Sequence, residues 1–402
     1  MPAPAIRLLE LRTTYKWGGG PDKTILLSAA RHDPARVAVV VVYIRGVHDR
    51  EFRIGERARQ AGLTYYELVE RRKLDPTVIR AVRDIVMKHD INVIHGHDYK
   101  TDLIAYLVAR LLLRRPIRLL STAHAWVMLG PRGSLYRRLD LFLMKRFDHL
   151  IAVSHATKDE MVQAGLDEGK ISVIHNAIDT IEWSREQAPG DLRDELGLTG
   201  CSPIVGYVGR IMPEKDLETW IRSASVVAAA CPKAAFVLVG DGYEETTRRE
   251  LAVLATKLGV ADRVIFTGFR SDLLRCYATF DVFLLTSRRE GLPNSLLESM
   301  AMGVPVVTTD VAGAKELVRD GETGFVRLQG DVPALSEAVL TLVKNGPLRS
   351  RMAHACRERI LHEFSFTDRL HRIEALYAAL LEASSASSRP FPPSPAFGRG
   401  VK

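Results

Sequence analysis

Between Arg289 and Glu298 the chain reads REGLPNSLLE, and two carboxylates in it, Glu290 and Glu298, stand eight residues apart. The apolar run Val282–Leu285 ahead of them predicts a buried strand, and the residues from Asn294 onward predict a helix. Glu290 then lies in a loop and Glu298 a little over one turn into the helix, so the pair can address two ends of one ligand. Gly291, Leu292, Pro293 and Asn294 between them form the helix start, where unpaired N–H groups and the helix dipole favour a phosphate. As isolated residues the two glutamates would read as a solvated loop carboxylate and a helix-surface residue. The Gly-x-Pro loop after a buried strand favours the ligand reading.

A second constellation is GYVGRIMPEKD, Gly206 to Asp216. Its apolar part predicts a buried strand ending at Gly209, with Arg210 and Lys215 in the loop that follows. Two cations at a strand end suit a diphosphate, Arg as a bidentate fork and Lys as a point charge. The plainer reading makes Glu214 and Lys215 a surface pair opening a helix.

In the N-terminal half, Trp17 to Thr24 reads WGGGPDKT after the first strand. Gly18, Gly19 and Gly20 let a backbone approach a phosphate or a sugar closely, unless the segment is a plain turn. A nucleotide-cradling P-loop is disfavoured because Asp22 stands where that motif needs glycine. HGHDYKTD, His95 to Asp102, has two His and two Asp. These could hold a metal, but all are crowded into one loop with no distant partner in evidence. STAHAW places His124 just past a strand, where a lone histidine is most often structural. Gly268-Phe269-Arg270 ends another strand, with Phe269 as an anchor in the plain reading.

Taken together, the E-x7-E element, the G-R-x-x-x-E-K element Gly209 to Lys215, the HNAID turn His175 to Asp179 and the N-terminal glycine loop resemble retaining glycosyltransferases of the GT-B fold, family 4. The resemblance spans about residues 5–380. It implies transfer of a hexose-type sugar from a UDP- or GDP-linked donor to a glycan or lipid-linked acceptor, with the anomeric configuration kept and no metal required. Carried over residue by residue, Arg210 and Lys215 hold the donor diphosphate, Glu290 binds sugar hydroxyls and Glu298 accepts from the ribose hydroxyls. Backbone N–H groups over Leu292 to Asn294 support phosphate and sugar, and the Gly268–Phe269 position reads the base chiefly through main-chain groups. His124 matches the histidine that contacts the donor sugar near the reacting carbon, so the catalytic set is Glu290, His124, Arg210 and Lys215. The loop Gly18 to Gly20 lies beside donor phosphate and acceptor, and Asp98 lines the acceptor site. Rival readings are a GT-B epimerase or phosphorylase, or a non-catalytic subunit that binds sugar nucleotides.

These groups need rigid elements behind them. Short β-branched runs alternate with helix-period segments, the pattern of parallel sheets with crossover helices. The first series predicts strands over Ile6–Leu11, Val37–Tyr43, Thr64–Leu68, Asn92–His95, Leu119–Thr122, Leu150–Val153 and Ser172–Ile174, with helices such as Asp75–Lys88 and Ser134–Arg146. The polar stretch Ser184 to Glu195 reads as a linker. A second series predicts strands over Ile204–Val208, Phe236–Val239, Val264–Thr267, Val282–Leu285 and Val304–Val307, closed by helices at Pro333–Lys344, Pro347–His362 and Thr367–Glu382. The expectation is an α/β chain of two Rossmann-like, doubly wound domains facing a cleft: an acceptor domain over 1–185 and a nucleotide-sugar domain over 186–365. A helix over 366–383 is expected to cross back to the first domain, and the Ser- and Pro-rich tail 384–402 to be disordered.

Composition bounds the rest. The 402 residues suffice for two or three domains. Of 56 Lys+Arg and 48 Asp+Glu, residues 1–185 hold 30 and 21, leaving 26 and 27 for the remainder. The whole positive excess is N-terminal, which points that half toward an anionic acceptor or an anionic membrane surface. The mixed basic and apolar texture of Arg110 to Arg118 and Tyr136 to Phe147 fits either a core helix with a charged face or peripheral docking on lipid. Nucleic acid fits poorly, since no nucleic-acid reading motif is visible. Four scattered cysteines, no signal-peptide pattern and no apolar run near the roughly 18 residues a span requires imply a cytoplasmic protein, peripheral at most to the inner face of the plasma membrane.

Overall fold

The run VAVVVVYIRG alternates its burial between two faces: Val40, Val42 and Ile44 pack with the helix Pro76–Lys88, while Val41 and Tyr43 pack with Ile25, Leu26 and Ile54. A strand apolar on both faces belongs inside a sheet covered by helices on both sides. The computed structural model describes residues 5–124, 138–242 and 245–385 and places that strand accordingly.

The first sheet contains β1 (Ile6–Thr13), β2 (Val37–Gly46), β3 (Thr64–Glu70), β4 (Val93–Gly96), β5 (Arg118–Ala123), β6 (His149–Ala152) and β7 (Ile171–Val173). All pairings are parallel, in the order β3-β2-β1-β4-β5-β6-β7. The second contains β8 (Ile204–Val208), β9 (Ala235–Val239), β10 (Val264–Gly268), β11 (Val282–Leu285), β12 (Val306–Thr309) and β13 (Gly324–Arg327), also parallel, in the order β10-β9-β8-β11-β12-β13. Each is a Rossmann-like doubly wound sheet. The direction of winding reverses between β1 and β4 in one and between β8 and β11 in the other, and the loops leaving those strands are where such sheets bind ligands.

The described residues of Met1–His175 and Arg369–Lys402 form one compact unit, and Asn176–Asp368 the other. The division falls at 175/176, ahead of the expected 185/186, because the polar stretch is docked on the second unit. Asn176 Nδ2 donates to the Leu292 carbonyl at 3.1 Å, Arg185 Nη2 to the Phe280 carbonyl at 3.0 Å, and the Leu192 N–H to Thr279 Oγ1 at 2.8 Å. The last helix, Phe366–Ser385, is tied to the first unit from Arg369 onward. Arg369 donates to Ser28 Oγ at 3.0 Å and Arg372 to the Val173 carbonyl at 2.7 Å. Buried Glu374 receives His32 Nδ1 at 2.9 Å and Arg36 Nη1 at 3.1 Å.

Two expectations need correcting. The strand expected at Val304–Val307 runs over Val306–Thr309, because the Val304 N–H closes the preceding helix onto the Ser299 carbonyl and Pro305 has no N–H to donate. The edge strand β13 was not expected from its short, glycine-led sequence GFVR. The helix expected at Ser134–Arg146 is seen over 138–144; residues 134–137 lie outside the described residues, as does most of the expected disordered tail.

Candidate active site

The strand IVGYV, wholly buried, delivers the chain to Gly209, where a side chain would collide with the Tyr207 hydroxyl oxygen. Arg210 follows on the surface and a single 3-10 turn, Pro213–Lys215, carries Lys215 back over the sheet end. Asp216 closes that turn in the left-handed region, at φ 46°, and its buried carboxylate accepts from Thr219 Oγ1 and from Arg288 Nε, each at 2.9 Å. Thr286, just past β11, donates its hydroxyl to the Asp216 carbonyl at 2.9 Å, and the Arg288 N–H donates to the Glu214 carbonyl at 2.8 Å. The loops after β8 and β11 are therefore stitched together by hydrogen bonds from both side chains and backbone.

The consequence is a direct pair between two of the expected site residues. Lys215 Nζ lies 2.5 Å from Glu290 Oε1, and Ser287 Oγ donates to the same oxygen at 2.8 Å. Lys215 thus pairs with Glu290 from the other loop, and the surface pair with Glu214 is replaced. Both side chains are half-buried, where an ion pair is less screened than on an open surface. Nearby, burial and the Glu290 charge hold the Tyr207 hydroxyl well above its ordinary range, so it remains a neutral donor.

Beyond Glu290 the loop is held by its carbonyls: Gly291 accepts from the Gly313 N–H at 2.9 Å and Leu292 from Asn176. Gly313 must be glycine, since a Cβ there would overlap the Gly291 carbonyl. Pro293 caps the helix Asn294–Ala301 and has no N–H of its own, so donors from this stretch are Leu292 and Asn294 rather than all three residues. Glu298 is buried in that helix and accepts from the Tyr277 hydroxyl at 2.8 Å; burial and the carboxylate keep Tyr277 protonated. Phe269 stands at the end of β10, 46% exposed. Glu290, Lys215, Leu292, Asn294 and Glu298 thus belong to loops and a helix around one strand reversal. Ser287, Asp216 and Tyr277, which hold them, carry no sequence signal of their own.

In the first unit, Gly18 adopts φ +73°, which favours glycine, and Gly19 precedes the helix Gly20–Arg31. Asp22 turns back to accept from the Gly19 N–H at 2.6 Å and lies 3.6 Å from Arg12 Nε, an internal cap for the glycine loop.

Asp98 has a structural role in the fold. Its Oδ1 accepts from the N–H groups of Lys100 and Thr101 at 3.1 and 3.0 Å, and its Oδ2 from the Thr13 N–H at 2.8 Å. Both oxygens are used to cap the helix Tyr99–Tyr106 and tie it to the end of β1, which gives the residue a structural task. Asp98→Ala is expected to lower unfolding free energy by about 1–2 kcal/mol, whereas Asp98→Asn keeps most of the cap. Urea denaturation midpoints check this; equal midpoints for all three proteins would contradict the capping role.

The loop HGHDYKTD does have a distant partner. Glu10, in the middle of β1, pairs in register with His95 of β4, and strand alternation puts His97 on the same side. His97 Nε2 is 2.5 Å from Glu10 Oε2; His95 Nδ1 is 2.8 Å from the Tyr377 hydroxyl and His95 Nε2 is 2.7 Å from Thr122 Oγ1. Three donor atoms of Glu10, His95 and His97 lie within 4.8 Å of one another, close enough to surround a cation. Each of those atoms already has a hydrogen-bond partner, which makes this a proton-sharing network. A charged residue buried inside IRLLELRT was the available signal. His124, past β5, places Nε2 3.0 Å from His97 Nδ1.

Two Rossmann-like sheets, one carrying a paired cation and carboxylate beside a glycine-led helix start, are the architecture of the GT-B class. Comparison with known proteins agrees: residues 202–345 match the family model for glycosyl transferases group 1, and residues 19–182 the model for glycosyltransferase family 4. The chain belongs to glycosyltransferase family 4. It is 30% identical over 328 residues to the GDP-mannose-dependent alpha-(1-6)-phosphatidylinositol monomannoside mannosyltransferase of Mycolicibacterium smegmatis, covering 78% of this chain and 83% of that one. It is 27% identical over 301 residues to the UDP-Gal:alpha-D-GlcNAc-diphosphoundecaprenol alpha-1,3-galactosyltransferase of Escherichia coli, covering 73% and 76%. Anabaena HepE, solved with UDP and glucose, superposes with a TM-score of 0.81 at 22% identity, over 93% of this chain and 100% of that one. Among the described residues no helix is long and apolar enough to cross a membrane.

Proposed function

We propose that this glycosyltransferase moves a hexose-type sugar from a UDP- or GDP-linked donor to a glycan or lipid-linked acceptor of cell-surface polysaccharide or lipopolysaccharide synthesis, retaining the anomeric configuration. The observation that carries the reading is the Lys215–Glu290 pair at the reversal of the second sheet. A donor diphosphate takes over Lys215 and is joined by Arg210 and the N–H groups of Leu292 and Asn294. Glu290, released, turns to the sugar hydroxyls, and Glu298 accepts from the ribose. The base lies against the main chain at Gly268–Phe269.

Departure of a nucleoside diphosphate develops negative charge on a phosphate oxygen, and fixed cations and N–H groups aimed there lower the barrier. Lys215 and Arg210 supply that charge, so the proposal assigns no metal to the leaving group. In retention without a double displacement the leaving phosphate oxygen takes the acceptor proton, so Glu290 is not a nucleophile. The relatives named above use a GDP-linked and a UDP-linked donor and act on lipid-linked acceptors, which supports both the donor class and the acceptor class. The basic excess of residues 1–185 and the exposed Leu111, Leu112 and Phe142 support work at the inner face of the plasma membrane.

The test is release of nucleoside diphosphate from UDP- and GDP-sugars with and without a lipid-linked or glycan acceptor. Release that requires the acceptor is expected. Release driven by added inorganic phosphate, or equal release without acceptor, would replace transfer by phosphorolysis or epimerisation, and binding without turnover by a non-catalytic role.

A further inference from the structure

The turn that carries Lys215 closes on Asp216, which is held in the left-handed region at φ 46° and ψ 51° and opens the helix Leu217–Ala230. Glycine takes that conformation without a steric penalty, so an aspartate there implies a task for its side chain. Capping the helix is not the task, because the carboxylate accepts from none of the backbone N–H groups of the helix start. Asp216 is buried, and its Oδ2 accepts from Thr219 Oγ1 on the helix and from Arg288 Nε on the loop after β11, each at 2.9 Å.

Two ion pairs therefore cross between the loops after β8 and β11, Lys215 with Glu290 and Asp216 with Arg288. They are neighbours: Asp216 follows Lys215 directly, and one residue separates Arg288 from Glu290. Their fates in the reaction differ. The donor takes both members of the first pair, the diphosphate claiming the ammonium and the sugar claiming the carboxylate. Asp216 has no opening toward a ligand, since its side chain is 3% exposed while that of Arg288 is 65% exposed. Backbone contacts back the second pair: Thr286 Oγ1 donates to the Lys215 and Asp216 carbonyls at 3.1 and 2.9 Å, and the Arg288 N–H to the Glu214 carbonyl at 2.8 Å. When Lys215 and Glu290 part, Asp216 and Arg288 are the ion pair left between these loops among the described residues.

We infer that Asp216 and Arg288 are positioning residues whose ion pair latches the two loops, keeping Lys215 and Glu290 in register while the donor draws them apart. The inference rests on the reading that places the donor diphosphate at Lys215 and the sugar at Glu290. The latch acts through the chain: a shift of either loop carries its reactive side chain along, because the latch residue lies within two positions of it. A misplacement of about 1 Å can cost about 100-fold in rate. Loops still tied by their backbone contacts shift less, so the expected loss is about tenfold. It falls on turnover and on diphosphate binding, the states in which the Lys215–Glu290 pair is open.

The test compares the full chain with Asp216→Gly, Asp216→Asn, Arg288→Ala and the double variant Asp216→Gly/Arg288→Ala, at a temperature where melting curves show every protein folded. Glycine keeps the left-handed backbone and removes the carboxylate, whereas asparagine tolerates the same backbone and keeps an oxygen for Arg288. Asp216→Gly is expected to lose about tenfold in kcat with KM for the acceptor unchanged, and Asp216→Asn to recover most of it. The double variant should fall no further than either single one, since the two residues make one contact. Titration of UDP, GDP and their monophosphates supplies an arm that needs no turnover. Asp216→Gly should bind the preferred diphosphate about tenfold more weakly and the monophosphate as the wild type does. Undiminished kcat and diphosphate binding in Asp216→Gly overturn the latch. A loss in Arg288→Ala that Asp216→Gly does not share also overturns it, by making Arg288 a direct ligand contact. A wild type that binds diphosphate no tighter than monophosphate overturns the placing of the donor, and the latch with it.

Discussion

Lys215→Met is expected to lower kcat about 100- to 1000-fold while the protein keeps its fold. The side chain is a half-buried point charge whose partner in the free protein is Glu290 Oε1 at 2.5 Å. In the reaction its counterpart is the departing diphosphate, which gains charge only as the glycosidic bond breaks. An interaction that strengthens toward the transition state acts on kcat, and loss of one fixed donor to a developing oxyanion typically costs that factor. Stability should change by no more than about 1 kcal/mol, because a partly exposed ion pair contributes little to folding. Steady-state rates with saturating donor, alongside thermal melting, check both halves. A variant with intact kcat and only a raised KM would reduce Lys215 to a ground-state anchor.

Glu290→Gln is the second large effect, about 2- to 30-fold in kcat/KM for the donor for each sugar hydroxyl it binds. The amide keeps the shape and one acceptor oxygen but loses the charge, and charge-assisted hydrogen bonds to sugar hydroxyls are worth about 1.5–3 kcal/mol against roughly 1 for neutral ones. The substitution also removes the group that holds Lys215 in the free protein. The double variant should therefore fall short of the product of the two single losses, since residues in contact couple. Ser287, which donates to the same Glu290 oxygen at 2.8 Å, remains to orient the side-chain amide carbonyl that the substitution introduces. Turnover at the parental rate in Glu290→Gln would remove the residue from the sugar-binding set.

Much of this was legible in the sequence because the donor chemistry sits in short loops directly after strongly apolar strands. IVGYV and VFLL announce themselves as buried, and Arg210, Lys215 and Glu290 follow within a few residues. The pairing of Lys215 with Glu290 was not legible, because it depends on β8 and β11 being neighbours although β9 and β10 come between them in the chain. The network of Glu10, His95, His97 and Tyr377 escaped for the same reason, joining residues as far apart as β1 and the last helix. The capping role of Asp98 was not legible, because aspartate before a helix serves a cap and a ligand with the same chemistry, and the three N–H groups around it come from the fold. The edge strand β13 has too few residues and too much glycine around it for alternation to register.

The most direct test of the donor site needs no acceptor. Isothermal titration of UDP, GDP, UMP and GMP into the wild type and Lys215→Met asks whether the second phosphate is recognised and by which residue. The account predicts that the diphosphate of the preferred base binds at least about tenfold tighter than its monophosphate, and that the preference falls below about threefold without the ammonium. Equal binding of mono- and diphosphate by the wild type, or an undiminished preference in Lys215→Met, would contradict it.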